Sequence, residues 1–186
     1  MTKEEFEQKA AYVKAKVSTV PDFPKAGILF RDVTSVCDDP KAFSLCIELL
    51  ADKFKDQNID AVVSAEARGF IFGAPLAAAL KCAFVPVRKP GKLPRKVISE
   101  NFELEYGHET LQMHEDSLKK GSRVLLLDDL LATGGTMEAM VKLTKKLGAD
   151  PVALSFVIEL TGLAGRKRLE DEYGLEVFSL ISFPGH

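Results

Sequence analysis

The chain of 186 residues carries 25 Lys and Arg against 27 Asp and Glu, a formal net charge of −2, with 46% hydrophobic and 28% charged residues. One domain is expected at this length, burying about 70% of its unfolded surface without staples. The ordinary, slightly acidic composition excludes disorder, collagen and a general nucleic-acid-coating role. No apolar run approaches the ~20 residues of a membrane span, and the start Met1-Thr2-Lys3-Glu4-Glu5 is charged rather than signal-like. A cytoplasmic protein with neither membrane nor nucleic acid as partner is therefore expected. Cys37, Cys46 and Cys82 form no CxxC pair and sit in apolar company, as reduced buried thiols do.

In chain order, Phe6, Ala10, Val13 and Val17 recur at helical spacing and predict an amphipathic surface helix ending before Pro21. Phe23 to Asp32 then reads as a loop whose Ile28-Leu29-Phe30 run pins that helix to the core. A helix is predicted over Pro40 to Lys55. Beyond it, strands at Ile59–Ser64, Ala83–Val87, Arg123–Leu127, Val152–Ile158 and Leu175–Ile181 alternate with helices at Phe70–Leu80, Gly135–Leu147 and Leu163–Glu172. Near-continuous apolar strands in such alternation predict an α/β fold: a mainly parallel five-stranded sheet flanked by helices, one domain over 1–186.

One stretch breaks the pattern, the 35 residues between Val87 and Arg123. A basic run, Arg88 to Lys96, is followed from Val97 to Leu118 by six acidic residues and no Lys or Arg. So long a connection in an α/β domain is functional or has structure of its own. Glu103–Tyr106 and Thr110–Met113 suit short strands, so 88–118 reads as a basic loop and a flexible β-ribbon hood over an active site, against the plainer reading of an exposed charged loop.

The most informative segment is Val124 to Thr136, in which a buried apolar strand runs into Asp128 and Asp129, then a turn of small residues, then a helix. In open α/β sheets ligands bind beyond the carboxyl ends of the strands. Ala132, Thr133, Gly134, Gly135 and Thr136 are small enough to let backbone N–H groups approach an anion at a helix N-terminus, which suits a phosphate monoester. Asp128 and Asp129 would repel the phosphate but accept hydrogen bonds from two vicinal hydroxyls of a ribose that carries it. The lysine of a triphosphate P-loop and the glycine pattern of a dinucleotide fold are both missing. A second strand-to-helix turn, Glu66-Ala67-Arg68-Gly69-Phe70, puts a guanidinium on the same rim, where it is suited to pyrophosphate oxygens. The three histidines form no ligand set with the cysteines, so a transition metal is not expected.

Val124 to Thr136 resembles the phosphoribosyl-pyrophosphate (PRPP) binding signature of the type I phosphoribosyltransferases. Phe23 to Asp32, Glu66 to Phe70, Arg88 to Pro94 and Leu104 to Gly107 resemble the adenine-specific branch of that family, in the family's order. The resemblance implies the type I phosphoribosyltransferase fold and the conversion of adenine and PRPP to AMP and pyrophosphate in purine salvage. Transfer to hypoxanthine, guanine, xanthine or orotate, or a PRPP-sensing regulator, stand as alternatives. It further implies pyrophosphate binding by the turn Glu66, Ala67 and Arg68, often with a cis peptide, and by Arg88, Lys89 and Lys92, which can be lent across a homodimer interface. Leu29, Phe30, Arg31 and Leu160 become the adenine-binding set, since a flat purine wants apolar faces and backbone groups at its edge. Glu105, in the hood, is the candidate catalytic proton acceptor. Mg²⁺ is the expected cofactor, held mainly through substrate oxygens and water rather than by dedicated protein ligands.

Overall fold

The computed structural model describes residues 1–104 and 107–185. Helix α1 (Lys3–Lys16) starts with a capping box: the Thr2 hydroxyl accepts from the Glu5 N–H at 3.2 Å and the Glu5 carboxylate from the Thr2 N–H at 2.8 Å. Strands β1 (Ser18–Pro21) and β2 (Leu29–Asp32) pair antiparallel, with Val20 opposite Phe30. The sequence predicts a loop over Phe23 to Asp32, and the structure turns its last four residues into β2. Four-residue strands are too short for alternation to show, and the pairing rests on tertiary contacts, with Phe23 edge-on to Phe30 at 5.0 Å and Arg31 bonded to the Thr19 hydroxyl. Helices α2 (Thr34–Cys37) and α3 (Pro40–Phe54) follow, the second capped by Asp39, whose carboxylate accepts from the Ala42 N–H at 2.9 Å.

The remaining elements are β3 (Ala61–Ala65), α4 (Arg68–Leu80), β4 (Ala83–Val87), β5 (Val97–Leu104), β6 (Gly107–His114), β7 (Arg123–Leu131), α5 (Gly135–Lys146), β8 (Asp150–Leu160), α6 (Gly165–Tyr173) and β9 (Glu176–Phe183). The main sheet runs β4-β3-β7-β8-β9, every pair parallel, as the sequence predicts. Strand β7 continues past the predicted end at Leu127, because Leu130 and Leu131 still find partners in Ile158 and Glu159 of β8.

Alternate residues of the sheet feed two apolar layers, which is why its strands read as continuous hydrophobic runs. Val62, Leu125 and Leu127 face Leu49, Phe54, Phe72 and Leu76 of α3 and α4. Val63 and Leu126 face Met137, Met140, Leu143 and Leu169 of α5 and α6. A ribbon is present as β5 and β6, paired antiparallel from Val97↔His114 to Leu104↔Gly107; β5 begins six residues before the expected strand Glu103–Tyr106, whose last two residues lie outside the described ones, and Phe102, Leu111 and Met113 of the ribbon pack on the α5 side of the core. The ribbon is thereby seated against α5 and, through the bridge between Arg88 and Gln112, beside the carboxyl end of β4.

Candidate active site

Three strand ends converge on one rim: β3 delivers Glu66, Ala67 and Arg68, β7 delivers Asp128 and Asp129, and β8 delivers Leu160. A cleft of about 540 Å³ lies between the ends of β3 and β7, lined by Glu66, Ala67, Arg68, Lys89, Asp128, Asp129, Leu130, Ala132 and Thr136. It adjoins a hollow of about 180 Å³ walled by Ala132 to Thr136, Met137 and Phe156. The two regions that the sequence reading assigned to phosphate and pyrophosphate are thus contiguous.

The phosphate turn owes its shape to Gly134, which stands at φ +91° and lets the chain enter α5 abruptly. The Glu138 N–H donates to the Gly134 carbonyl at 3.0 Å, so the N–H groups just before it are without intrahelical partners and lie at the positive end of the helix dipole. Two further glycines make room for this rim: Gly69, which the Glu66–Phe70 turn contains but to which the sequence assigns no role, and Gly165, which sequence reasoning missed. A Cβ on Gly69 would stand 2.6 Å from the Ser64 hydroxyl and 3.0 Å from an Asp128 carboxylate oxygen. A Cβ on Gly165, at the start of α6, would stand 2.2 Å from the Ala132 carbonyl oxygen. The only signal in the sequence is that each glycine opens a helix, a position with many ordinary occupants.

Asp128 and Asp129 are 9% and 6% exposed. Asp128 Oδ1 accepts the Asp129 N–H at 2.9 Å. Burial first, and the neighbouring Asp129 charge second, push the Asp128 carboxyl well above the usual carboxylate range. Asp129 meets Arg68, whose Nε lies 2.7 Å from Oδ2 as a charge contact rather than an aligned hydrogen bond. The same guanidinium carbon is 5.8 Å from the centre of the Phe30 ring. Arg68 therefore links Asp129 to the segment expected to hold the base.

Glu66 takes the Lys89 N–H at 2.6 Å and has Arg88 Nε at 3.3 Å. Burial alone would raise its carboxyl, but the Lys89 N–H and the Arg88 guanidinium outweigh it and hold the group below its usual value. Glu66 thus fastens the basic loop to the β3 turn. Lys89 lines the cleft, with its Nζ paired to Glu109 of β6 at 3.0 Å, whereas Arg88 and Lys92 are not among the lining residues. The Glu66–Ala67 peptide is cis.

On the base side, Arg31 stacks over the Phe183 ring at 4.6 Å, and Phe183 is the sheet partner of Leu160. This places the β1–β2 hairpin, with Leu29 42% exposed beside Phe30, against the ends of β8 and β9. Glu105 lies outside the described residues. Among the described residues no group of three or more His, Cys, Asp or Glu is arranged to hold a metal, and no helix is long and apolar enough to cross a membrane.

A parallel sheet with an anion-binding turn, paired acids and an arginine turn on one carboxyl rim, beside a separate β-ribbon, is the layout of a phosphoribosyltransferase, and residues 32–184 match the family model described as phosphoribosyl transferase domain. The chain is 55% identical over 96% of its length to adenine phosphoribosyltransferase of Yersinia pseudotuberculosis (serotype O:1b, strain IP 31758), covering 95% of that protein. It superposes on the crystal structure of adenine phosphoribosyltransferase from Thermoanaerobacter pseudethanolicus with a TM-score of 0.88 at 48% identity, over 94% of this chain and 99% of that one. The Saccharomyces cerevisiae enzyme, solved with an imino-altritol bisphosphate and adenine, gives a TM-score of 0.86 at 37% identity, over 94% and 99% of the two chains. The chain belongs to the phosphoribosyltransferase family, and within it to the adenine phosphoribosyltransferase group.

Proposed function

We propose that the protein transfers the 5-phosphoribosyl group of PRPP to adenine, forming AMP and releasing pyrophosphate, with the whole chain acting as one catalytic domain. The observation that carries this reading is the cleft lined by Arg68, Asp128, Asp129 and the Ala132 and Thr136 ends of the phosphate turn, with Arg68 reaching from it to the Phe30 ring. Backbone N–H groups of Thr133 to Thr136 hold the 5′-phosphate, and Asp128 and Asp129 accept from the ribose hydroxyls. Leu29, Phe30 and Leu160 sandwich the purine, with Arg31 fixing the hairpin that carries the first two. The bond from the anomeric carbon to pyrophosphate breaks as the bond to the adenine imidazole nitrogen forms, through a ribose with oxocarbenium character. Arg68 and Lys89 take up the negative charge that builds on the departing pyrophosphate, assisted by Glu66, which holds the basic loop. Glu105 accepts the imidazole proton, and closure of the β5–β6 ribbon keeps water from the anomeric carbon.

Two buried acids with no third metal-ligating neighbour among the described residues fit a cation that arrives on an oxygen-rich substrate. Mg²⁺ bound with PRPP supplies neutralisation of pyrophosphate charge. Cytoplasmic purine salvage and a homodimer complete the reading, and sedimentation equilibrium returning the 20.4 kDa of a single chain at micromolar concentration would remove the dimer.

The direct assay incubates the purified protein with PRPP, Mg²⁺ and one base at a time, and separates nucleotide from base by chromatography. AMP formed from adenine at a kcat/KM at least a hundredfold above that for hypoxanthine, guanine, xanthine or orotate supports the assignment. A better rate with any of the other four reassigns the base pocket.

A further inference from the structure

The first turn of α6 touches both halves of the proposed site without lining either cavity on the rim. On one side Gly165 lies so close to the phosphate turn that a Cβ there would be 2.2 Å from the Ala132 carbonyl oxygen and 2.8 Å from Leu131 Cδ1. One helical turn on, the fully buried Leu169 backs Gly134, whose own Cβ would lie 3.2 Å from Leu169 Cγ. On the other side the Arg166 guanidinium forks onto both carboxylate oxygens of Glu159, Nε to Oε1 at 3.0 Å, and also donates to the Val177 carbonyl and to Ser179 Oγ at 3.2 Å. Glu159 is 6% exposed and immediately precedes Leu160, the residue assigned to the base. Arg168 closes the triangle by pairing with Glu138 in the first turn of α5.

We propose that the start of α6 is a brace that fixes the spacing between the 5′-phosphate turn and the base-side end of β8, with Gly165 as positioning residue for the turn and Arg166 for Leu160. This rests on the adenine phosphoribosyltransferase reading given above. A nucleotide spans both anchor points at once, so its affinity depends on their separation, whereas ribose 5-phosphate reports on the phosphate half alone. A planar, bidentate guanidinium holding a nearly buried carboxylate restrains direction as well as distance, which a lysine in its place would not do. Burial would raise the Glu159 carboxyl, but Arg166 and the Ser179 hydroxyl together outweigh it and keep the group below its usual value, so the fork stays charged across the neutral range.

The test compares Kd values for ribose 5-phosphate and AMP, with steady-state constants for adenine, in the full-length parent, Arg166→Gln, Arg166→Lys and Gly165→Ala. Because the Arg166 change leaves a nearly buried acid without its partner, the neutralised double variant Glu159→Gln/Arg166→Gln is measured alongside, and circular dichroism establishes that each protein is folded. The brace predicts that Arg166→Gln and the double variant keep the ribose 5-phosphate Kd within twofold while AMP binding and kcat/KM for adenine fall tenfold or more. Arg166→Lys should recover less than half of that loss on a logarithmic scale, and Gly165→Ala should weaken both ligands tenfold or more. The proposal is overturned if the folded Arg166 variants bind AMP as the parent does, or if AMP and ribose 5-phosphate weaken by the same factor. A parent that neither binds AMP nor makes it would sink the reading of the cleft itself, an outcome distinct from a parent that works beside variants that match it.

Discussion

Replacing Gly134 by alanine tests whether the backbone of the phosphate turn, rather than any side chain, provides the anion site. Gly134 is at φ +91°, and a Cβ there would lie 3.2 Å from Leu169 Cγ and 3.4 Å from Leu169 Cδ1. Leu169 is fully buried in the close-packed core, so moving aside disturbs its neighbours. A left-handed backbone costs an L-residue on the order of 1 to 3 kcal/mol. If the turn relieves that strain by abandoning its shape, phosphate binding loses up to the same amount, about 5- to 140-fold in Kd at roughly 1.4 kcal/mol per decade. Gly121→Ala is the matched control, because Gly121 is at φ +80° with nothing within 4 Å of an added Cβ. Both variants should lower Tm, but only Gly134→Ala should weaken AMP in a calorimetric titration. Parent-like AMP affinity in a folded Gly134→Ala protein would refute the assignment of phosphate to this turn.

Three further outcomes are expected. Asp129→Asn keeps the shape but loses the charge-assisted bonds, so PRPP should bind more weakly by about 1 to 3 kcal/mol, and a parent that binds AMP and 2′-deoxy-AMP equally well would contradict a ribose role for the acids. Because the Asp128 carboxyl titrates above its ordinary 3.8 in the folded chain, the folded state binds the extra proton and its stability drops as pH rises through the raised value. Asp128→Asn should therefore raise the Tm of the ligand-free protein at neutral pH, with the gain vanishing as pH falls toward 3.8, and a Tm difference that does not vary with pH would remove burial of that charge from the account. Glu105→Gln should slow AMP formation in a rapid-quench experiment by ~10²- to 10⁴-fold with Glu103→Gln as its control, and an unchanged chemical rate takes Glu105 out of the mechanism.

The sheet was legible because its strands are buried on both faces and therefore read as unbroken apolar runs, Val124 to Leu127 above all. The phosphate turn was legible because its chemistry is local, with acids, small residues and helix start following one another in the chain. What the sequence hid depends on contacts distant in the chain. The β1–β2 pairing is set by Phe23 on Phe30 and by Arg31 against Phe183, some 150 residues further on. Gly69 matters because Ser64 and Asp128 lie against it, and Gly165 because Leu131 and Ala132 do. Lys89 and Arg88 read as one basic cluster, yet folding separates their side chains: Glu66 holds the Arg88 guanidinium, while Lys89 lines the cleft with its ammonium on Glu109.

A crystal structure of the protein soaked with AMP tests the central claim most directly, because one ligand touches every part of the proposed site except the pyrophosphate contacts. The account predicts the 5′-phosphate within about 3 Å of the backbone nitrogens of Thr133 to Thr136, as N–H···O bonds require. The ribose hydroxyls should lie on Asp128 and Asp129, and the purine between Phe30 and Leu160. Phosphate density instead in the separate pocket walled by Lys142 and Arg168, or a purine turned away from the β1–β2 hairpin, would contradict it.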